Sequence, residues 1–127
     1  MKIHHIIDNS NFINMHELSI ALGIVKIAEA ETKKVNAVRV ESIELEIGTL
    51  AGIEFEALDF VWEVAVRGTV LETAHKQINI IQAKAKCFDC DTIFHIDKYY
   101  DSCPNCASVL KSVLQGKELR VKSLEVE

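Results

Sequence analysis

The sequence predicts an α+β fold in which two helices pack on a small mixed or antiparallel β-sheet, interrupted by an inserted cysteine ribbon. Two amphipathic helical stretches alternate with short β-patterned stretches along the chain. All four cysteines of the 127 residues fall between Cys87 and Cys106, as two C-x-x-C knuckles separated by twelve residues. A β-patterned stretch follows the second knuckle and has no partner of its own length inside the cysteine block. It is therefore expected to return to the strands that precede the block.

Size and composition narrow the function. A chain of 127 residues makes one domain, or one domain with a small satellite, and buries roughly two thirds of its unfolded surface. Apolar residues make up 49% and charged residues 26%, a globular balance. The net charge of −5 opposes phosphate backbones and anionic membranes, so neither nucleic acid nor membrane is an expected partner. No apolar run approaches the roughly 20 residues of a transmembrane helix. The first residues lack the apolar core of a secretory signal. The expected location is cytoplasmic, where thiols are free, metal-bound or catalytic and not disulfide-bonded.

Residues 1–14 mix His4, His5, Asp8 and three asparagines with scattered apolar residues, without a lasting period, and read as a poorly ordered or loosely docked arm. From His16 to about Lys34 the pattern is helical. Leu18, Ala21, Leu22, Val25 and Ala28 form the stripe, widened by Ile20, Ile24 and Ile27. Glu17 in the first turn and Lys33 and Lys34 in the last complement the helix dipole. Val38–Ile47 alternates with a one-residue phase shift, which predicts a half-buried strand bulged near Glu41-Ser42 and ended by Gly48. A second helix is expected from about Glu54 to Val66, with Phe55, Leu58, Val61, Trp62 and Ala65 on one face. Gly68-Thr69 stops it. Strands are then predicted at Gln77–Ala83, Thr92–His95, Val109–Gln115 and Glu118–Val126, the last pairing with the strands at 38–47 and 77–83.

The spacing C-x2-C-x12-C-x2-C lets Cys87, Cys90, Cys103 and Cys106 converge on one ion. Four thiolates in a tetrahedron suit Zn(II), in a closed and therefore structural site. Iron in the same ligand set and a redox dithiol are the alternatives. Zinc would supply the folding free energy that a block of about 30 residues cannot draw from Phe88, Ile93 and Phe94 alone. Between Lys86 and Lys111, three lysines face four aspartates, a net −1 that becomes −3 with a zinc tetrathiolate. That charge repels a nucleic-acid backbone. His95 is a strand residue near the cluster, His75 a surface residue, and Glu41, Glu44 and Glu46 a solvated strand face. No phosphate loop, nucleophile–base set or carboxylate pair emerges, so no enzymatic activity is expected.

Met15-His16-Glu17-Leu18-Ser19-Ile20-Ala21-Leu22 resembles the opening of the HypA/HybF family, the nickel metallochaperones of nickel–iron hydrogenase maturation. The similarity continues through Ile47-Gly48-Thr49-Leu50, through Gly68-Thr69 with Leu71-Glu72-Thr73-Ala74, and through both knuckles. It covers Met15 to the C-terminus. The resemblance implies a nickel-binding α/β domain over 15–83 and 116–127, a zinc ribbon over 84–115, and an extension over 1–14. It implies Ni(II) as the transferred ion and Zn(II) as the structural one. It places nickel at His16, with backbone nitrogens around His16 and Glu17 and the amine of Met15. Square-planar Ni(II) suits such nitrogen ligands. The partners implied are a HypB-type GTPase and the precursor of a hydrogenase large subunit, with the chain a monomer or homodimer.

The extension departs from the family pattern, because fourteen residues precede Met15 and leave it without a free amine in the chain as written. Either synthesis begins at Met15, which the patternless arm favours, or the arm is retained and His16 binds with its backbone, helped by His4 or His5. The rival reading from another class is a zinc-ribbon adaptor that binds proteins and carries no nickel.

Overall fold

Helix, strand and cysteine signals resolve into two sheets joined at one tight crossing. The computed structural model describes residues 1–8 and 17–127. In chain order the elements are β1 (Lys2–Asp8), α1 (Glu17–Lys34), β2 (Val40–Gly48), α2 (Phe55–Val66) and β3 (His75–Ile81), then β4 (Lys84–Cys87), β5 (Ile93–His95), β6 (Lys111–Gln115) and β7 (Leu119–Val126). The larger sheet has the order β1-β7-β2-β3, and the smaller has the order β5-β4-β6.

α1 forms where its apolar period demands. The stripe that enters the core, however, is Ile20, Ala21, Ile24, Val25, Ala28 and Thr32. Leu18 and Leu22, expected at its centre, are 43% and 50% exposed. Both sets are helical; the two isoleucines aim α1, and the helix is rolled toward them. Thr32 is buried without penalty because its hydroxyl donates to the carbonyls of Ala28 and Glu29, each at 2.9 Å. The helix ends in a Schellman-type turn: Asn36 takes a left-handed φ of +54°, and Ala37 N–H donates to Thr32 O at 2.9 Å. α2 buries Leu58, Trp62, Ala65 and Val66, close to the expected face.

α2 is the crossover between β2 and β3, which therefore run parallel. β7 pairs antiparallel with β2. The predicted pairing of β7 with the 77–83 stretch does not occur, because β2 lies between them and has both edges filled. The bulge expected near Glu41-Ser42 is present: Val40 faces Val126, Ser42 faces Glu125, and Glu41 is the extra residue. A second bulge leaves Lys122 unpaired between Ser123 and Val121, which explains the phase break along β7.

The arm expected to be loosely docked instead supplies β1, paired antiparallel with the outer edge of β7. Its register shifts between His4 and Ile7, and that irregularity breaks the alternation by which a strand is recognised. The Met1 ammonium donates to Val126 O at 2.8 Å, and Ile3 packs against the main core.

Each sheet has its own core. The larger centres on Ile43, Leu45, Ile47, Leu58, Leu124 and the buried face of α1. The smaller consists of Ala83, Ala85, Cys87, Phe94, Ile96 and Cys103, with Leu50, just after β2, packed against it. They join at Ile47-Gly48-Thr49-Leu50. Gly48 N–H donates to Glu118 O and Leu50 N–H to Gly116 O, both at 2.7 Å. Thr49 N–H donates to Ile81 O, and its hydroxyl accepts Ala83 N–H, both at 3.0 Å. The chains meet without side chains between them: a Cβ on Gly48 would lie 2.0 Å from Gly116 O, and one on Gly116 would lie 2.4 Å from Ala83 Cβ. Gly116 also needs its φ of +116°, which an L side chain rarely adopts. Only glycine permits this crossing.

Candidate metal centre

The two knuckles are built alike. Cys87 N–H donates to Thr92 O at 2.9 Å, and Cys103 N–H donates to Ser108 O at 2.8 Å. Within the turns, Asp91 N–H donates to Cys87 O at 3.0 Å and Ala107 N–H to Cys103 O at 2.8 Å. Asp91 and Ala107, each directly after the second cysteine of its knuckle, take left-handed φ values of +62° and +63°. This repeated turn wraps the backbone around the sulfurs. β4 carries Cys87 into the ribbon core, and a turn across 97–101, in which the Asp101 carboxylate accepts Asp97 N–H at 2.8 Å and Lys98 N–H at 3.1 Å, leads toward Cys103. Those two bonds hold the Asp101 carboxyl below its usual range.

All four sulfurs lie within 4.8 Å of one another. Two pairs run crosswise between knuckles, Cys87–Cys106 at 3.5 Å and Cys90–Cys103 at 3.6 Å. A disulfide needs about 2.05 Å, so these are separate sulfurs. A tetrahedron with metal–sulfur bonds of about 2.3 Å has edges of about 3.8 Å, which the crosswise distances approach. The four-sulfur cluster therefore fits a tetrahedral thiophilic ion. It is the one group of three or more cysteine, histidine or acidic side chains with this convergence among the described residues.

The surroundings favour thiolate unevenly. The Thr92 hydroxyl, 3.1 Å from Cys90 Sγ, is the largest influence on Cys90; the Asn105 amide at 3.5 Å and the Thr92 backbone add to it, bringing the thiol down to about 6. At Cys106 the Ser108 backbone N–H favours the thiolate. The neighbouring sulfurs and burial outweigh it and push the thiol up to about 12. One sulfur is thus ready to ionise, while another resists further negative charge until a cation compensates it. Thr92 and Asn105 are functional neighbours that sequence reasoning missed. Their position two residues after Cys90 and directly before Cys106 was the available signal.

Of the other expected residues, Met15 and His16 lie outside the described residues, as do the side chains of His4 and His5. Glu17 opens α1, and its carboxylate accepts Glu54 N–H at 3.1 Å, tying the start of α1 to the start of α2. His95 lies exposed on β5 and is not part of the sulfur cluster; His75 lies exposed at the start of β3. No described helix is long and apolar enough to cross a membrane.

A two-helix α+β domain clasping a four-cysteine ribbon defines a metal-binding protein of the zinc-ribbon-bearing class. Residues 15–126 match the HypA family, described as hydrogenase/urease nickel incorporation, metallochaperone, and the chain belongs to that family. It is 43% identical over 113 residues to the hydrogenase maturation factor HypA of Parabacteroides distasonis, covering 89% of this chain and 98% of the relative. The corresponding Azotobacter vinelandii protein is 45% identical, covering 89% of this chain and all of the relative. The solution structure of the nickel metallochaperone HypA from Helicobacter pylori is similar at 26% identity and a TM-score of 0.62, covering 88% of this chain and 97% of that one. A second HypA solution structure gives 26% and 0.64, covering 90% and 98%.

Proposed function

We propose that this protein binds Ni(II) and delivers it for the maturation of nickel–iron hydrogenase, while Zn(II) bound by Cys87, Cys90, Cys103 and Cys106 holds the ribbon folded. The observation that carries the reading is the family match over residues 15–126, which begins at Met15 and so spans His16 and Glu17. Four converging sulfurs support zinc, which when bound supplies charge compensation and a closed, structural coordination shell. Residues 15–83 and 116–127 form the nickel-handling part, 84–115 the ribbon, and 1–14 an extension to it.

Nickel is cargo here. His16 supplies an imidazole, with backbone nitrogen at His16 and Glu17 and the Met15 amine where that amine is free. The Glu17 carboxylate already receives Glu54 N–H, which supports a metal role for Glu17 through its backbone nitrogen. Ligation at a helix start leaves the ion open to exchange with an incoming ligand, as delivery requires. The protein acts without turnover of its own, in the cytoplasm, with a HypB-type GTPase and a hydrogenase large-subunit precursor as partners, and as a monomer or homodimer.

His16→Ala tests the assignment. Dialysed protein analysed for both metals is expected to lose nickel and keep one zinc per chain. Stoichiometric nickel in the variant refutes His16 as a ligand. Wild-type protein that takes up zinc alone leaves the adaptor reading in its place.

A further inference from the structure

The ribbon sheet has two unlike faces. Along β4, Ala85 and Cys87 are buried, while Lys86 and Phe88 alternate to the other side. Lys86 stands opposite Ile93 of β5 and Ser112 of β6, and Phe88 N–H extends the ladder by donating to Leu110 O at 3.0 Å. β6 presents Leu110 and Ser112 on this side, and Leu114, the extra residue of a bulge between Val113 and Gln115, is exposed at its end. Phe88, Ile93, Leu110 and Leu114 are between 51 and 67% exposed. Exposed apolar side chains gathered on one sheet face are a feature of interaction surfaces.

Charge selects what covers it. Lys84 and Lys86 run through the middle of this face, and neither makes an ion pair among the described residues. Lys84 faces His95 and Gln115, Lys86 faces Ile93 and Ser112, and the strand positions of this face hold no carboxylate, so the face is locally basic on a chain of net charge −5. Two lysines two residues apart on one strand are about 7 Å apart, the spacing of alternate side chains on an extended segment.

We infer that the outer face of the ribbon sheet docks an extended segment of a partner protein, one that sets two alternate carboxylates against Lys84 and Lys86 and apolar side chains against Phe88, Ile93, Leu110 and Leu114. A nucleic acid fits less well, since only two cations lie on the face and Asp89 and Asp91 follow on the adjoining knuckle. The proposal stands whether or not nickel is the cargo.

The probe is the peptide Leu-Thr-Glu-Thr-Glu-Thr-Leu, capped by serine at both ends, together with a twin carrying lysine in both glutamate positions. Each is titrated into the zinc-loaded full chain and followed by amide NMR shifts. The glutamate peptide is expected to shift residues 84–88, 93–95 and 110–114, and to bind at least tenfold more tightly than its twin. Lys84→Glu combined with Lys86→Glu should reverse that order. Ile93→Ser should weaken the glutamate peptide at least threefold without reversing it. Absence of binding, equal binding of the two peptides, or shifts confined to other residues overturns the proposal. So do shifts of the same amides on concentrating the chain alone, which would place a second copy there, or tighter binding of a twelve-nucleotide oligothymidylate.

Discussion

Gly48→Ala adds one methyl group at the crossing between the two sheets, and its consequences can be worked out from backbone positions alone. The new Cβ would meet Gly116 O at 2.0 Å, Gly116 C at 2.1 Å and Lys117 N at 2.7 Å. None of these atoms belongs to a side chain that could swing away, so the two chain segments must part. Parting them stretches the Gly48–Glu118 and Leu50–Gly116 hydrogen bonds and withdraws Leu50 from the ribbon core. Overpacking costs about 1–3 kcal/mol, and each weakened hydrogen bond about 1 kcal/mol. The sum, roughly 3–5 kcal/mol, is a large share of the 5–15 kcal/mol by which domains are stable. With an unfolding entropy of about 2.1 cal/mol/K per residue, the melting midpoint should fall by roughly 10–20 °C. Gly52→Ala is the control. It has open space around the added Cβ and a φ of +77°, so it should cost only about 1–2 kcal/mol of backbone strain. The assay is urea unfolding of the metal-loaded protein followed by circular dichroism, with hydrogen exchange at Leu50. A Gly48→Ala protein as stable as Gly52→Ala, with Leu50 still protected, would refute the crossing as a steric lock.

Glycine at the two left-handed turn residues should act in the opposite direction. Asp91→Gly and Ala107→Gly relieve φ values of +62° and +63°, and each is expected to stabilise the metal-loaded ribbon by about 1 kcal/mol, read as a higher urea midpoint. Thr92→Val removes the hydroxyl that most lowers the Cys90 thiol. The Cys90 thiol then rises, protons compete better, and metal release on acidification should begin at higher pH, with affinity about 10–100-fold weaker. A zinc-release titration with an unchanged midpoint would count against Thr92 as a support of the site. Glu44 is held below the ordinary carboxylate value chiefly by the Asn79 amide, aided by Ser123 and Lys122. Its folded pKa is depressed, so its stabilising contribution is present above the unfolded value and fades as pH falls through the folded one. Glu44→Gln should therefore flatten the acid side of the stability–pH curve, measured by urea unfolding at successive pH values.

Local signals carried much of the design. The twelve-residue gap between knuckles announces a four-sulfur site, because two thiols three residues apart converge wherever a turn places them. The phase shift at Glu41-Ser42 announces a bulge, since side-chain direction along a strand has period two. Helical period places α1 and α2 to within a residue or two, and Gly48 and Gly68 mark the ends of β2 and α2. The family resemblance from Met15 onward rests on such short motifs and agrees with the match over residues 15–126.

Tertiary structure decided whatever depends on which segments meet. Leu18 and Leu22 satisfy helical period as well as Ile20 and Ile24 do, and only the packing of α1 selects the isoleucines. β1 became a strand because β7 had an open edge of unpaired backbone groups, a fact about residues more than a hundred positions away. β3 could not reach β7, because the α2 crossover lays it on the far side of β2. Gly48 reads in sequence as a strand terminator, yet it is required by the approach of Gly116. Thr92 and Asn105 read as loop residues until folding brings their donors to Cys90. Sequence therefore determined both helices, most of the strands (but not β1 or β4) and the four converging sulfurs, which follow from local periodicity and side-chain chemistry. The neighbours that tune and lock them came from contacts distant in the chain, where no local period can record them.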